Sequence, residues 1–70
     1  MEPRDAALKV LDAAGEEDLH WTVVWDRALR AGYINPMENP DARDEFLKAL
    51  ADEVRAQRIV KTSKGTYRRA

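Results

Sequence analysis

Near its C-terminus the chain reads Arg58-Ile59-Val60-Lys61-Thr62-Ser63-Lys64-Gly65-Thr66-Tyr67-Arg68-Arg69. Apolar and polar residues alternate on both sides of Ser63-Lys64-Gly65, which is typical of a short β-hairpin with its turn at these three residues. Glycine suits the turn because a tight hairpin needs a residue that tolerates a positive φ. We therefore expect a hairpin over residues 58–69, with Ile59 and Tyr67 facing inward and several cations around the tip.

Two helices and a very short strand are predicted before this hairpin. The first helix covers residues 3–14, since Pro3 suits a helix start and Gly15 a helix stop. Leu19-His20 is predicted as a short extended segment. The second helix covers residues 21–31 and ends at Gly32.

A third helix is predicted over residues 40–57. Asn39-Pro40-Asp41 offers an N-cap, a first-turn proline and an acid that complements the helix dipole. The resulting order is helix, strand, helix, helix, strand, wing, strand, which is the order of a winged helix-turn-helix. We expect a mainly α fold with a small β-hairpin wing, forming a single domain over residues 1–70. With Leu47, Leu50 and Val54 inward, the outward positions include Asp41, Asp44, Glu45, Lys48, Asp52 and Arg55.

Charge is distributed unevenly along the chain. The net charge is −1 overall, but residues 55–70 hold six Lys or Arg and no acid, so residues 1–54 carry −7. A basic hairpin on an acidic body indicates a polyanionic partner.

Composition narrows the class of protein. The 70 residues include no cysteine, which excludes disulfides, thiolate nucleophiles and cysteine-bound metals. No apolar run approaches the ~20 residues of a membrane span, and the N-terminus lacks the pattern of an export signal. We expect a cytoplasmic protein without a membrane partner, and a domain complete in itself.

Residues along nearly the whole chain follow a familiar pattern. In the first half they are Ala7-Leu8, Val10-Leu11, Leu19-His20-Trp21, Val24, Ala28 and Gly32-Tyr33-Ile34; in the second they are Phe46-Leu47, Leu50, Asp52-Glu53-Val54, Ile59-Val60 and Lys64-Gly65-Thr66-Tyr67. This pattern resembles the HARE helix-turn-helix family, except at Arg68-Arg69, where the family tends to place apolar residues. Members occur in the delta subunit of bacterial RNA polymerase, in restriction-type enzymes and in chromatin-associated proteins. The resemblance implies a DNA- or transcription-linked module.

The first functional hypothesis is DNA binding led by the wing. The third helix of such folds usually reads the major groove, but acids on its outer face would be repelled by phosphates. We therefore expect weakly sequence-specific contacts between the basic hairpin and phosphates. The expected contact residues are Arg55, Arg58, Lys61, Lys64, Arg68 and Arg69, with Thr62 and Ser63 as hydrogen-bond donors and Arg43 and Lys48 as helix contributors.

The alternative hypothesis is a protein-interaction adaptor. Acidic helix faces at Asp44 and Asp52 would dock on a basic transcription or nucleoid protein, with Trp25 as an aromatic anchor if it is exposed. Trp21 is expected in the core. Acids on helix surfaces are commonly solvated, so the sequence favours Asp44, Glu45, Asp52 and Glu53 as solubility residues over interface residues.

No constellation of residues indicates catalysis. His20 is the single histidine and Ser63 the single serine, and nothing in the sequence pairs either with a base or a second ligand. There is no glycine-rich phosphate loop. We expect a non-enzymatic protein with no cofactor, no metal and no small-molecule substrate.

Overall fold

The computed structural model describes residues 1–70 as three helices and a three-stranded antiparallel sheet, an α+β arrangement. The elements follow one another in the order that the sequence predicts. A membrane span would require a longer and more apolar helix than any of the three. Their bounds are α1 (Pro3–Ala14), β1 (Leu19–His20), α2 (Trp21–Arg30), α3 (Ala42–Arg55), β2 (Ile59–Ser63) and β3 (Thr66–Arg69).

One apolar cluster joins all three helices to the sheet. Its fully buried members in the helices include Leu11 of α1, Val24 of α2, and Phe46 and Leu50 of α3. Ile59 of β2 is buried in the same cluster. Leu47 is only half-buried, because the inward stripe of α3 is rotated relative to the prediction. That stripe consists of Ala42, Phe46, Ala49, Leu50 and Glu53.

The third helix begins later than predicted. Its first helical residue is Ala42, and Pro40 lies in the preceding turn. The Asn39 side chain accepts a hydrogen bond from the Asp41 amide (3.2 Å), and the Asn39 carbonyl accepts one from the Ala42 amide (3.1 Å). Asn39 therefore stabilises a turn before the helix, as short polar side chains commonly do.

The third helix also ends earlier than predicted, at Arg55 rather than Gln57. Gln57 adopts a positive φ of 63°. The Gln57 amide donates to the Val54 carbonyl (3.0 Å) and the Arg58 amide to the Glu53 carbonyl (3.1 Å). This is a Schellman motif with glutamine at the position that glycine usually holds.

Replacing Gln57 with glycine is expected to stabilise the protein. A left-handed conformation costs a non-glycine residue about 1–2 kcal/mol, and the greater freedom of glycine in the unfolded chain offsets part of that gain. We expect Gln57→Gly to raise the free energy of unfolding by about 0.5–1 kcal/mol in urea titrations. Gln57→Ala, the control, keeps the strain and should give no gain; a destabilised glycine variant would contradict this account.

The predicted hairpin is confirmed, and β1 adds a third strand to it. Strands β2 and β3 pair Ile59 with Arg69 and Lys61 with Tyr67, and an irregularity between Lys61 and Ser63 leaves Thr62 as a bulge. On the other edge of β3, β1 pairs Leu19 with Tyr67. Ile59 is buried and Tyr67 is half-buried against the core, as expected. The pairing with β1 brings the hairpin tip to the beginning of α2.

Candidate nucleic-acid interface

Ion pairs divide the cations of this chain into two groups. Every arginine except Arg43 pairs with an Asp or Glu, whereas none of the four lysines does. An arginine that already holds a carboxylate is less available to a phosphate. Four of the predicted contact residues therefore already have a carboxylate partner within the chain: Arg55, Arg58, Arg68 and Arg69.

Arg58 is exposed, but its guanidinium is engaged by a carboxylate of the same chain. Its guanidinium forms a two-pronged hydrogen bond with Glu53, through Nε to Oε2 and Nη2 to Oε1 (3.0 Å). Arg4 of α1 adds a third contact to the same carboxylate, Nε to Oε1 at 3.1 Å. Arg58 thus fixes the beginning of β2 to α3, and we assign it a structural role.

Glu53 of α3 is buried, contrary to the prediction from the sequence. The sequence favours it as a solvated acid, yet only 1% of it is exposed. Hydrogen bonding to Arg58 holds the pKa of Glu53 below its ordinary value, although burial of the carboxylate opposes this shift. In return the carboxylate raises the pKa of Arg58. The buried acid is satisfied by its partners, as a buried charge must be.

The two arginines of β3 are also engaged within the chain. Arg69 lies opposite Ile59, pairs with Asp12 of α1, and donates from Nη1 to the Arg58 carbonyl (3.0 Å). Arg68 lies 3.7 Å from Asp18 and donates from Nη1 to the carbonyl of Arg69 (3.1 Å). Arg69 in particular connects the last strand to α1.

Two further predicted contacts lie among acids. Arg55 pairs with Asp52 at 3.4 Å. Lys48 borders a surface depression of about 360 Å³ whose lining includes Glu2, Asp5, Glu45 and Asp52. Carboxylates around these cations offset the attraction that a polyanion would feel.

The hairpin tip differs, because its cations have no acidic partner. Lys61, Thr62, Ser63 and Lys64 are all exposed, and neither lysine forms an ion pair. The hydroxyls of Thr62 and Ser63 make no hydrogen bond within the protein. Two ammonium groups and two hydroxyls are therefore free to bind an anion.

The tip is anchored to the beginning of α2. The Gly65 carbonyl accepts a hydrogen bond from the Trp21 amide (2.8 Å). His20 caps α2, because its Nδ1 accepts from the Thr22 amide (3.3 Å) and lies 2.8 Å from Thr22 Oγ1. The hairpin turn and the His20 ring are thus held against each other.

Arg43 extends the same surface from α3. It is exposed, has no acidic partner, and places its guanidinium carbon 5.3 Å from the centre of the Trp21 ring, a cation–π contact. Trp21 itself is half-buried and adjoins the turn at Gly65. We use the name tip surface for the set His20, Trp21, Arg43, Lys61, Thr62, Ser63 and Lys64.

Replacing Gly65 with alanine tests how closely the turn and His20 are packed. Gly65 has a φ of +74°, and an added Cβ would lie 2.8 Å from His20 Nε2; Gly15 has a φ of +64° with nothing within 4 Å of an added Cβ. Both substitutions strain the backbone, but only Gly65→Ala displaces His20. We expect Gly65→Ala to cost about 1–2 kcal/mol more stability than Gly15→Ala in urea titrations, and to shift the His20 ring signals in NMR spectra. Equal losses with an unmoved ring would contradict the close packing.

The three residues predicted for the alternative protein interface differ in exposure. Trp25 is half-buried and packs edge-on against Phe46, with ring centres 5.2 Å apart at 67°. Asp52 is also half-buried, and pairs with Arg4 and Arg55. Asp44 is exposed without an ion pair. No exposed aromatic anchor accompanies that acid.

The sequence predicts the lysines and hydroxyls of the tip surface but not its aromatic part. His20 is recognisable as a residue at a helix start, and Trp21 as a large apolar residue, yet nothing local to them indicates the hairpin turn. Their contact depends on the pairing of Leu19 with Tyr67, which are far apart in the chain. The chain matches no protein-family model, no curated protein and no solved structure.

Proposed function

We propose that this chain is a winged helix-turn-helix module of the HARE type that binds DNA phosphates through its tip surface and has no enzymatic activity. The observation that carries the proposal is the exposure of Lys61 and Lys64, free of acidic partners, on either side of two free hydroxyls. Ammonium and hydroxyl groups together are common phosphate ligands.

The order of the elements supports the winged-helix part of the proposal. A hairpin follows α3 directly, and β1 joins its sheet in the order β1-β3-β2. Such a hairpin would serve as the wing. The ion pairs of Arg58 and Arg69 hold its base on α1 and α3, so the tip would approach DNA in a fixed orientation.

The charge of α3 favours contact through the tip over reading of bases by this helix. Its first turn presents exposed acids at Asp44 and Glu45, and Arg43, which makes no ion pair, lies over Trp21. Phosphate contacts position a protein on DNA without reporting its sequence. The module is therefore proposed to bind DNA with weak sequence preference.

NMR titration of the labelled protein with a short mixed-sequence duplex tests the proposal. At low salt we expect amide shifts at residues 61–65, at residues 20–22 and at Arg43, and smaller shifts at physiological salt. A second duplex of different sequence should shift the same amides. Residues 26–30, on the rest of α2, serve as an internal reference.

Two results would overturn the proposal. Absence of shifts at low salt would exclude DNA binding of this kind, and the protein would then serve as bait for a basic partner that covers Asp44. Shifts confined to α3 would place the contact on the helix rather than on the tip surface.

A further inference from the structure

Building on the proposed function, we infer that the tip surface prefers single-stranded DNA to a continuous duplex, with the His20 ring as a stacking platform for an unpaired base. Proteins that bind single strands combine cations that follow the backbone with aromatic rings on which bases stack. The tip surface contains both kinds of group within one small area.

The His20 ring is exposed and held in place. Its Nδ1 is hydrogen-bonded to Thr22. Its Nε2 edge lies against the turn at Gly65, where an added Cβ would be only 2.8 Å from Nε2. The ring nevertheless remains exposed to solvent. A side chain already ordered by the protein loses little freedom when a base stacks on it, which favours binding.

A cation accompanies each of the two groups that adjoin the ring, the turn at Gly65 and Trp21. Lys64 adjoins Gly65 in the turn, and Arg43 reaches the neighbouring Trp21 ring, whose centre is 6.1 Å from that of His20. A backbone that passes the tip can therefore contact Lys64 and Arg43 while its base lies over His20. These three side chains would together bind a few nucleotides of one strand.

A duplex cannot use this arrangement fully. Its bases are already stacked and paired, so placing one against His20 requires unstacking it first. The duplex would retain only the contacts of its phosphates with the cations. The free energy of binding should therefore differ between the single strand and the duplex by the stacking contribution of one base.

Two substitutions at His20 separate stacking from helix capping. His20→Asn removes the ring but keeps a favourable N-cap, whereas His20→Phe keeps a ring and removes the capping nitrogen. If the ring binds a base, the asparagine variant should lose affinity for single strands and the phenylalanine variant should retain it. If His20 acts only as a cap, the order should be reversed.

The experiment is a fluorescence anisotropy titration of the full chain with labelled twelve-residue oligothymidylate and with a twelve-base-pair duplex at the same salt concentration. We expect tighter binding of the single strand, a loss of about fivefold or more in His20→Asn for that ligand alone, and near wild-type binding in His20→Phe. Thermal unfolding of each variant shows whether it is folded.

The outcomes distinguish this inference from the proposed function. Equal binding of both ligands, unchanged in His20→Asn, would overturn the stacking role and leave phosphate binding intact. Loss of single-strand binding in His20→Phe with retention in His20→Asn would also overturn it. Absence of binding to either ligand would overturn the proposed function as well.

Discussion

Replacing Glu53 with glutamine is expected to lower the free energy of unfolding by about 2–3 kcal/mol. The substitution keeps the size of the side chain but removes the charge that Arg58 and Arg4 surround, and hydrogen bonds to charged groups contribute about 1.5–3 kcal/mol. A 70-residue domain has roughly 4–10 kcal/mol of stability in all. Urea titration at neutral pH measures the loss. Glu38→Gln is the matched control, because Glu38 is exposed and its side chain has no partner; a change of similar size there would contradict the role of burial.

The same substitution should alter the response to acid. Glu53 has a pKa below its ordinary value of 4.5 in the folded state, so the folded state favours the ionised carboxylate more than the unfolded state does. The stabilisation is complete above the unfolded pKa and is lost as the pH falls through the folded pKa. The difference in stability between wild type and Glu53→Gln should therefore be constant near neutral pH and shrink below about pH 4.5. A difference that stays constant into strong acid would assign the effect to packing instead.

Combining substitutions at Glu53 and Arg58 tests whether the two act as a unit. Arg58→Met alone leaves the buried carboxylate with Arg4 as its remaining partner, so we expect it to be destabilising. Glu53→Met with Arg58→Met leaves no charge buried, and replacing both members of a buried pair by apolar residues is often tolerated. The double variant should lose less stability than the two single losses added together. Additive losses would mean that the residues contribute independently.

Features that depend on neighbouring residues could be predicted from the sequence. Gly32 ends α2 with a φ of 76°, because an αL position after a helix favours glycine. The hairpin turn, predicted at Ser63-Lys64-Gly65, follows from the alternation around it, although Ser63 belongs to β2 and only Lys64-Gly65 form the turn. By contrast, Gln57 at an αL position could not be predicted, since no local rule favours glutamine there.

The roles of the cations could be predicted only in part, because they depend on distant residues. The position of Glu53, three residues after Leu50 on the inward stripe of α3, is visible in the sequence. However, the partners that make its burial possible come from the beginning of α1 and from β2. The Asp12 that holds Arg69 lies on α1 as well. Sequence alone therefore counts all six C-terminal cations as available, and the fold leaves Lys61 and Lys64 without partners.

Reversing both of these lysines to glutamate is expected to abolish detectable DNA binding at moderate salt. Each substitution removes one charged contact with a phosphate and adds a carboxylate that the DNA repels, so we expect a loss of about tenfold or more per lysine. Both lysines are exposed and make no ion pair, so thermal unfolding should be nearly unchanged. Fluorescence anisotropy with a labelled duplex measures the affinity. Lys9→Glu is the control, since Lys9 also lacks an acidic partner but lies over Tyr33, away from the hairpin.

The salt dependence of the DNA affinity shows whether DNA contacts only the cations of the tip surface or also the paired arginines of the hairpin. Three cations of the tip surface that make no ion pair, Arg43, Lys61 and Lys64, would release about three counterions, which gives a slope of log affinity against log salt near −3. Neutralising both lysines with Lys61→Gln and Lys64→Gln should bring the slope to about −1, because each lost phosphate contact reduces it by about one. A wild-type slope near −6 or steeper would mean that Arg58, Arg68 and Arg69 leave their carboxylates to bind DNA. Binding that persists unchanged in the glutamate variant would place the interface elsewhere on the molecule.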